Sequence, residues 1–320
     1  MASDKYKTVL ISGAGELGSR YLQSMVSCTL PLVVHLHSNN LRSLEVCQQR
    51  WLEVKGDASP HRLVMHLDLS ALPEQIDLAI VSSTADSRPL LVASIAQRIQ
   101  VSYWLLEKVL AQSVADIDQI LAYVCHAAGS WVNYYMRAEA WYAEIKKHLV
   151  ADAPKHMRVY GGDWGMACNS LHFIHLHAWF SESTLTSLDT GRLSDAWHAS
   201  KRAGNWEISG ELTAEFADGG RVELQAGPGP AEYSLTLQDG PYTWQIMESS
   251  GIARRSDGLE VVGRVLYQSQ RRLVEEILGG AGCGLPALAA VADADRMFVG
   301  AMLEHWRQHK DPAAMLVPIT

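Results

Sequence analysis

Residues 1–130 alternate short apolar runs with segments of helical periodicity, and this alternation restricts the folds open to the chain more than any other feature. Short strands separated by helices of about ten residues are typical of βαβ units, which form a parallel sheet. The pattern therefore predicts an N-terminal Rossmann-type domain built on a doubly wound parallel sheet. Its predicted strands cover residues 8–12, 32–36, 62–68, 76–82 and 102–106, and its predicted helices cover 17–26, 41–51, 88–98 and 114–127.

The second half of the chain follows a different pattern, in which four segments alternate apolar and polar residues and are separated by Asp-Gly or Gly-Pro turns. Such turns between period-two segments indicate an antiparallel meander. We therefore predict an α/β protein of two domains, with residues 1–130 in the first and residues 131–320 in an α+β domain with an open, mainly antiparallel sheet. Its predicted strands cover 206–216, 221–226, 232–238 and 242–247, its helices cover 138–149 and 285–309, and residues 130–133 form a last parallel strand or a domain link.

Composition excludes several classes of protein. Hydrophobic residues make up 48% of the 320 residues, enough for a large core, and a net charge of −8 without a Lys/Arg block argues against a nucleic-acid partner. No apolar stretch reaches the roughly 18–20 residues of a membrane span, and the N-terminal segment lacks the layout of a signal peptide. The five cysteines are widely spread without a CxxC pair. Reduced thiols and a cytoplasmic location are therefore expected.

The motif Gly13-Ala-Gly15-Glu16-Leu17-Gly18 follows the first predicted strand directly and opens the first predicted helix. In this context the first glycine permits a tight turn, the second lets backbone amides approach a pyrophosphate, and the third lets the helix pack closely on the strand. The helix N-terminus favours the phosphate charge. The motif predicts a dinucleotide site, and the alternative is a purely structural glycine turn.

Dinucleotide-binding domains usually place an acidic residue on the ribose hydroxyls about 20 residues after the glycines. Here the corresponding stretch, residues 35–40, contains no acid, whereas Ser38, Asn39 and Arg42 are suited to bind a 2′-phosphate. The cofactor is therefore predicted to be NADP or NAD, with NADP favoured. The alternative is that this polar loop only faces solvent.

Three further segments complete the pattern of a known family: residues 79–84 with Arg88-Pro89, then Glu107-Lys108-Val109, and residues 169–175 around His172. The combination resembles the Gfo/Idh/MocA oxidoreductases, which include glucose–fructose oxidoreductase and inositol 2-dehydrogenase. The resemblance covers nearly the whole chain, including the open sheet. It implies that the cofactor is bound by Gly13, Gly15, Glu16, Leu17, Gly18, Ser38, Asn39, Arg42, Ser83, Thr84, Arg88, Glu107 and Lys108.

The sequence departs from the family pattern at three positions. Val109 stands where the family has Pro, so the family's often cis Lys–Pro bond is expected to be absent, because a cis bond before a non-proline residue costs about 2.5–4 kcal/mol. In the motif that usually reads Asp, three residues, His, two residues, Asp, Cys168 replaces the first acid and His175 the second.

Hydride transfer at a carbinol needs a group that takes or gives the hydroxyl proton. Lys108 ends a predicted parallel strand, where doubly wound folds place their sites, and a histidine such as His172 titrates near neutral pH. We therefore predict Lys108 and His172 as the catalytic pair. The alternatives are a surface lysine and a hydrogen-bonded core histidine. A metal site from Cys168, His172 and His175 is conceivable on one helix, but the spacing is not that of a zinc site, and no metal is predicted.

Substrate contacts are predicted from position and from side-chain chemistry. Asn133, Arg137 and Tyr142 follow the last parallel strand, where the family has substrate-facing residues, and tryptophan rings stack on sugars while carboxylates accept hydroxyl hydrogen bonds. The predicted substrate-binding residues are Asn133, Arg137, Asp163, Trp164, Cys168, Asn169 and His172.

The resemblance implies an NAD(P)-dependent oxidoreductase that moves hydride to or from a ring carbon of a sugar, sugar derivative or cyclic polyol. It assigns residues 131–320 to substrate binding and to oligomerisation, with a homodimer or homotetramer as the expected assembly. The alternative is a catalytically inactive dinucleotide-binding regulatory or scaffold protein of the same fold. Val109 and Cys168 are the features that favour this alternative.

Overall fold

The computed structural model describes residues 6–57, 59–263 and 270–320. These residues form two compact units. The first unit comprises the described parts of 1–110, 115–133 and 266–290, and the second comprises 111–114, the described part of 134–265, and 291–320. The chain therefore returns to the first unit after most of the second has been built.

The first unit contains a six-stranded parallel sheet in the order β3-β2-β1-β4-β5-β6, which confirms the predicted Rossmann-type fold. The strand order reverses between β1 and β4, so the carboxyl ends of these two strands mark the crevice where such sheets bind ligands. The strands are β1 Lys7–Ser12, β2 Leu32–His37, β3 Arg62–His66, β4 Gln75–Val81, β5 Gln100–Leu106 and β6 Gly129–Val132. The connecting helices are α1 Glu16–Met25, α2 Leu41–Val54, α3 Arg88–Ala96 and α4 Val114–Val124.

The second unit contains an eight-stranded sheet in which all neighbouring strands are antiparallel except β7 and β12. The predicted open, mainly antiparallel sheet is therefore confirmed. Its helices are α5 Ala140–Lys147, α6 Met166–Ser181 and most of α8 (Leu288–His309). The strands of this sheet are β7 Lys155–Gly161, β8 Leu185–Leu193, β11 Gly210–Phe216, β12 Arg221–Ala226, β13 Tyr233–Asp239, β14 Tyr242–Met247, β15 Ile252–Arg255 and β16 Glu260–Val262, while β9 His198–Ala199 and β10 Trp206–Glu207 pair separately.

Helix α6 packs against β7 and β12, and most of its residues are buried, including His172, His175 and His177. Gly165 precedes it with φ +78°, a left-handed conformation that side chains other than glycine rarely adopt. A Cβ at Gly165 would also lie 3.2 Å from Asn169 Nδ2 and from Glu207 Oε1. The glycine therefore allows the first turn of α6 and the side chain of Glu207 to approach closely.

Several elements differ from the sequence prediction. The predicted strand 206–216 is broken into β10 and β11, because Gly210 (φ +111°) turns the chain close to the backbone of Arg192. Strands β7, β8, β9, β15 and β16 and the helix α7 (Gln270–Leu278) were not predicted. Most residues of β8 are polar and only its last residue is buried, so it lacks the apolar alternation that identifies a strand.

Helix α7 packs on α1 and β4 within the first unit. Its Glu275 accepts hydrogen bonds from the backbone amide (2.5 Å) and the hydroxyl (2.8 Å) of Thr29, which follows α1. Helix α8 (Leu288–His309) follows and carries the chain into the second unit. Across the parts of the chain that the structure describes, no helix combines the length and the apolar character needed to cross a membrane.

Candidate functional site

The glycine turn lies between β1 and α1, as predicted. Gly13 has φ +115°, and a Cβ there would lie 2.8 Å from the backbone of Ser82. A Cβ at Gly18 would lie 1.9 Å from the Gly13 carbonyl oxygen, so only glycine lets α1 pack this close to β1. Gly15 differs, because no atom lies within 4 Å of its potential Cβ and its φ is −80°. The chain needs Gly13 and Gly18 for its own folding, whereas the space beside Gly15 is open to a ligand.

Two clefts flank this turn in the first unit. The first, of about 240 Å³, is lined by Ala14, Gly15, Glu16, Asn40, Arg42, Ser43, Val46, Cys47 and Arg50. The second, of about 330 Å³, is lined by Ser12, Gly13, His37, Ser38, Asn39, Ser83, Ser87, Leu90, Leu91 and Ser94. Helix α1 begins between them without a side-chain cap on its N-terminal amides. Free amides at a helix N-terminus beside an open glycine suit a phosphate group, so these residues fit a dinucleotide.

Three polar residues predicted after β2 line the two clefts. Ser38 and Asn39 line one cleft and Arg42 lines the other. Asn40 caps α2 by accepting a hydrogen bond from the Ser43 amide at 3.1 Å, which fixes the path of this loop. At the end of β2, His37 Nδ1 lies 2.9 Å from Ser12 Oγ, and burial lowers the pKa of His37. A neutral histidine therefore stands beside the clefts at the strand end where related domains carry a carboxylate.

Two other residues of the glycine turn have different surroundings. Glu16 is exposed at the start of α1 and forms an ion pair with Arg50 at 2.8 Å, and this hydrogen bond holds the pKa of Glu16 below its usual range. Leu17 is half-buried. Of this predicted pair, only Glu16 lines a cleft.

Arg88 is buried and its guanidinium binds backbone carbonyls of the neighbouring loops. It donates to the carbonyl oxygens of Ser83, Val109 and Leu110, the last at 3.0 Å. Thr84 precedes the same helix, where its carbonyl accepts from the amides of Ser87 and Arg88. Arg88 therefore shapes the loops at the ends of β4 and β5.

The expectation of a trans bond at Lys108 was wrong, because the Lys108–Val109 peptide bond is cis. Val109 is fully buried, and its carbonyl is one of those bound by Arg88. The local preference for a trans bond before a non-proline residue therefore does not decide this position.

Glu107 is buried beside Lys108 and is bound by two donors. Its Oε1 accepts hydrogen bonds from Tyr21 (2.8 Å) and from Asn133 Nδ2 (2.7 Å), and Asn133 Nδ2 also lies 2.9 Å from the Tyr21 hydroxyl. Burial raises the pKa of Glu107, and the two hydrogen bonds together with the charges of Arg88 and Lys108 act in the opposite direction. Asn133, predicted as a substrate ligand, thus belongs to the hydrogen-bond network of Glu107 in the first unit.

A cavity of about 250 Å³ lies at the N-terminal end of α6 in the second unit. Four predicted substrate-binding residues line it: Asp163, Trp164, Cys168 and Asn169. Most of the other lining residues were not predicted, because they come from β9, from β10, from the loop between them and from Thr320, and these segments carry no local motif. The other lining residues are Gly165, Ala199, Ser200, Lys201, Arg202, Asn205, Trp206, Glu207, Ala231 and Thr320.

Hydrogen bonds fix several of the groups around this cavity. The Cys168 thiol donates to the Thr320 oxygen at 2.5 Å, and Glu207 Oε2 accepts from the Ala167 amide at 2.8 Å. Asn169 Nδ2 donates to the Trp164 carbonyl at 2.8 Å. Trp164 is 5% exposed and packs edge-on against Phe173, so only a small part of its ring faces the cavity. Glu207 places a buried carboxylate next to the position where the family has Asp and this chain has Cys168.

His172 lies one turn further along α6, with its ring beside the rings of Tyr134 and Tyr135. His175 Nε2 lies 2.7 Å from Asp295 Oδ1, whereas His177 Nε2 lies 2.8 Å from the Lys155 carbonyl oxygen. Arg137 is exposed and lies over Trp179, 5.9 Å from the ring centroid. The described residues contain no group of three or more His, Cys, Asp or Glu that could hold a metal ion.

The sequence matches no family model and no curated protein. Its fold does match those of solved structures. UDP-N-acetylglucosamine 3-dehydrogenase from Acidithiobacillus ferrooxidans has a TM-score of 0.69 at 12% identity, with 93% of this chain and 96% of that chain covered.

Two ligand-bound structures also match. Myo-inositol dehydrogenase from Lactobacillus casei, in complex with NAD(H) and myo-inositol, has a TM-score of 0.66 at 13% identity over 95% of this chain and 96% of that chain. An oxidoreductase from Agrobacterium radiobacter, in complex with NAD⁺, L-tartaric acid and magnesium, has a TM-score of 0.69 at 11% identity over 93% of this chain and 96% of that chain. The chain therefore has the two-domain fold of Gfo/Idh/MocA-type oxidoreductases, and the resemblance seen in the sequence is confirmed for the fold.

Proposed function

We propose that this protein is an NAD(P)-dependent oxidoreductase acting on a ring CH–OH group of a sugar, a sugar derivative or a cyclic polyol. The observation that carries the proposal is the open Gly15 at the start of α1, flanked by two clefts at the switch point of the parallel sheet. Solved structures of the same fold that contain NAD(H) with myo-inositol or NAD⁺ with L-tartaric acid support it. When bound, the dinucleotide would supply the hydride donor or acceptor.

The chain's own residues would bind and orient both ligands. Backbone amides at the start of α1 would hold the pyrophosphate, and the loop from Ser38 to Arg42 would hold the adenosine ribose. We assign proton transfer at the substrate hydroxyl oxygen to Lys108 and His172. Carboxylate and amide groups around the second unit's cavity, among them Asp163, Glu207 and Asn205, suit a substrate rich in hydroxyl groups.

Steady-state assays with NAD(H) and NADP(H) and a panel of cyclic polyols, free sugars and nucleotide sugars would test this function. Cofactor-dependent absorbance change at 340 nm with at least one member supports the proposal. Saturable dinucleotide binding without turnover on any substrate of the panel would instead support the regulatory alternative. A lack of saturable binding by either dinucleotide contradicts both.

We also propose that the protein prefers NADP, and that Arg42 provides part of this preference. Arg42 is exposed in the cleft beside Gly15, and the loop at the end of β2 has no carboxylate to repel a 2′-phosphate. A hydrogen bond to a charged group contributes about 1.5–3 kcal/mol, so Arg42→Ala should weaken NADPH binding about tenfold or more and leave NADH binding nearly unchanged. Arg98→Ala, at an exposed arginine after α3, is the matched control. A strong preference for NADH that survives Arg42→Ala would overturn this assignment.

A homodimer or homotetramer is proposed from the open sheet of the second unit. One face of this sheet packs on α6, and the strands carry exposed residues such as Arg158, Tyr160 and Arg221 on the other face. Ion pairs between Arg158 and Glu223 and between Arg221 and Glu215 make this face polar. The resemblance implies that this face pairs with a second subunit, so we expect light scattering at micromolar concentration to give a multiple of 35.3 kDa. A 35.3 kDa species alone would contradict the assembly.

The five cysteines are free thiols in the structure, and Cys125 is exposed. Free thiols persist in reducing compartments. This supports the proposed cytoplasmic location.

A further inference from the structure

The imidazole of His172 lies beside two consecutive tyrosines. The ring of Tyr134 meets it edge-on, with 5.9 Å between centroids and an interplanar angle of 88°. The ring of Tyr135 meets it at 4.9 Å and 70°. His172 itself is 8% exposed. Its orientation therefore depends on how firmly these two phenol rings are held.

The Tyr134 ring is held by a carboxylate from α8. Its hydroxyl donates to both oxygens of Asp295, at 2.7 and 2.8 Å, and Asp295 Oδ1 also lies 2.7 Å from His175 Nε2. Asp295 is fully buried, and Tyr134 is 2% exposed. A buried carboxylate that accepts hydrogen bonds from two side chains restricts the movement of both.

The Tyr135 ring is held by a different carboxylate, Glu248, which follows β14. The Tyr135 hydroxyl donates to Glu248 Oε1 at 3.3 Å, and Tyr142 donates to the same oxygen at 2.6 Å. Tyr233 donates to the other oxygen of Glu248. Burial and the nearby Glu248 charge raise the pKa of Tyr142 well above its usual value, so this phenol remains a donor. Glu248 is therefore fixed from both of its oxygens.

The helix motif around His172 lacks both of the acids expected there, since Cys168 and His175 occupy their positions. The second unit nevertheless brings two carboxylates to this region from other parts of the chain. Asp295 pairs with His175 itself, and Glu248 binds Tyr135, whose ring lies beside His172. Asp295 is 120 positions from His175, and Glu248 is 113 positions from Tyr135. These two distant residues thus provide carboxylates, which α6 itself lacks.

We propose that Tyr134 and Tyr135 form a clamp, a pair of positioning residues that fix the imidazole orientation of His172, and that Asp295 and Glu248 anchor this clamp in place of the acids missing from α6. The use of this orientation in proton transfer rests on the proposed function, whereas the orientation itself does not. A group that moves a proton must be held in one productive geometry, and side chains locked by packing and by hydrogen bonds provide it.

The test compares Tyr134→Phe and Tyr135→Phe with the wild type by ¹⁵N-edited NMR of the histidine rings, with the His172 signals assigned from a His172→Gln variant. Phenylalanine keeps the ring and removes the hydrogen bond to the carboxylate. We expect each variant to shift the ¹⁵N signals of His172 and to change their pH dependence. Tyr123→Phe, at a tyrosine of α4 whose hydroxyl accepts a hydrogen bond from Gln97 at 2.9 Å, is the matched control and should leave the His172 signals unchanged. Unchanged His172 signals in both clamp variants would overturn the proposal.

Because Tyr134 is buried, Tyr134→Phe must first be shown to melt near the wild-type temperature. If it does not fold, the more exposed Tyr135→Phe and Glu248→Gln decide the outcome. Where turnover is found, the clamp variants should lower kcat about tenfold, corresponding to one hydrogen bond, and leave the KM for the dinucleotide unchanged. If His172→Ala retains wild-type turnover, the catalytic role assigned to His172 is wrong. The NMR result then still tests whether the clamp fixes the orientation of the His172 ring.

Discussion

Lys108→Met and His172→Ala should each lower turnover by about 10²–10⁴-fold while the dinucleotide still binds with its original affinity. A side chain that moves a proton only in the transition state contributes to kcat and makes little difference to ground-state binding of the cofactor. Methionine preserves the length and the apolar stem of Lys108 but removes the ammonium group. The measurement is kcat and KM with the best substrate of the panel, together with Kd for NADH and NADPH by fluorescence titration.

Two control variants show whether the loss of turnover is specific to Lys108 and His172 or follows from removing any lysine charge or any imidazole ring. Lys147→Met removes an exposed lysine of α5, and His156→Ala removes an exposed histidine of β7. Both controls should retain wild-type kcat. Full activity in Lys108→Met or in His172→Ala would remove that residue from the mechanism.

The departure at Cys168 calls for its own variant. From the sequence, Cys168→Asp looks informative because it restores the family's acid. In the structure, however, the Cys168 thiol donates to the Thr320 oxygen, and an ionised aspartate would face that oxygen without a proton to donate. Cys168→Ser keeps a donor of similar size and should retain activity within about tenfold.

Gly15→Val should abolish dinucleotide binding without unfolding the protein. The potential Cβ of Gly15 has no neighbour within 4 Å, so a side chain fits the folded chain but projects into the space proposed for the pyrophosphate. The loss of two hydrogen bonds from backbone amides to phosphate corresponds to about 3–6 kcal/mol, or on the order of 10²–10⁴ in Kd. The Kd values for NADH and NADPH and the unfolding temperature provide the measurement.

Two other glycines show whether the effect is specific to ligand binding. Gly56→Val places a side chain at another exposed glycine with open space, and both binding and stability should match the wild type. Gly18→Ala should instead destabilise the fold, because its Cβ would lie 1.9 Å from the Gly13 carbonyl oxygen. Undiminished dinucleotide affinity in Gly15→Val would show that the cofactor does not bind at this turn.

The parallel sheet of the first unit was predictable because its signals are local. Buried strands such as β4 contain apolar runs, here residues 78–81, the helices between them show helical periodicity, and Gly13 and Gly18 lie at fixed offsets from β1. The loop after β2, with Ser38 and Asn39, and the location of Arg42 at the start of α2 were predictable for the same reason.

Other features depend on contacts between residues far apart in sequence, which local patterns do not encode. Strand β8 is too polar to be recognised, yet it pairs with β11, and α7 returns to pack on α1. Asn133 follows the last parallel strand as expected, but its amide binds the buried Glu107 and Tyr21. A buried acid such as Glu107 needs hydrogen-bond donors, and only the packing of the folded chain shows which residues provide them.

The sequence by itself determined the class of fold, the position of the glycine turn and the helix that carries His172. The tertiary structure alone decided which carboxylates approach α6 and the tyrosines beside His172, because Asp295 comes from α8, Glu248 follows β14 and Glu207 comes from β10. A buried carboxylate is stable only where donors meet it, and those donors are brought together by long-range strand pairing and helix packing. The carboxylates near α6 could therefore be located only in the folded chain.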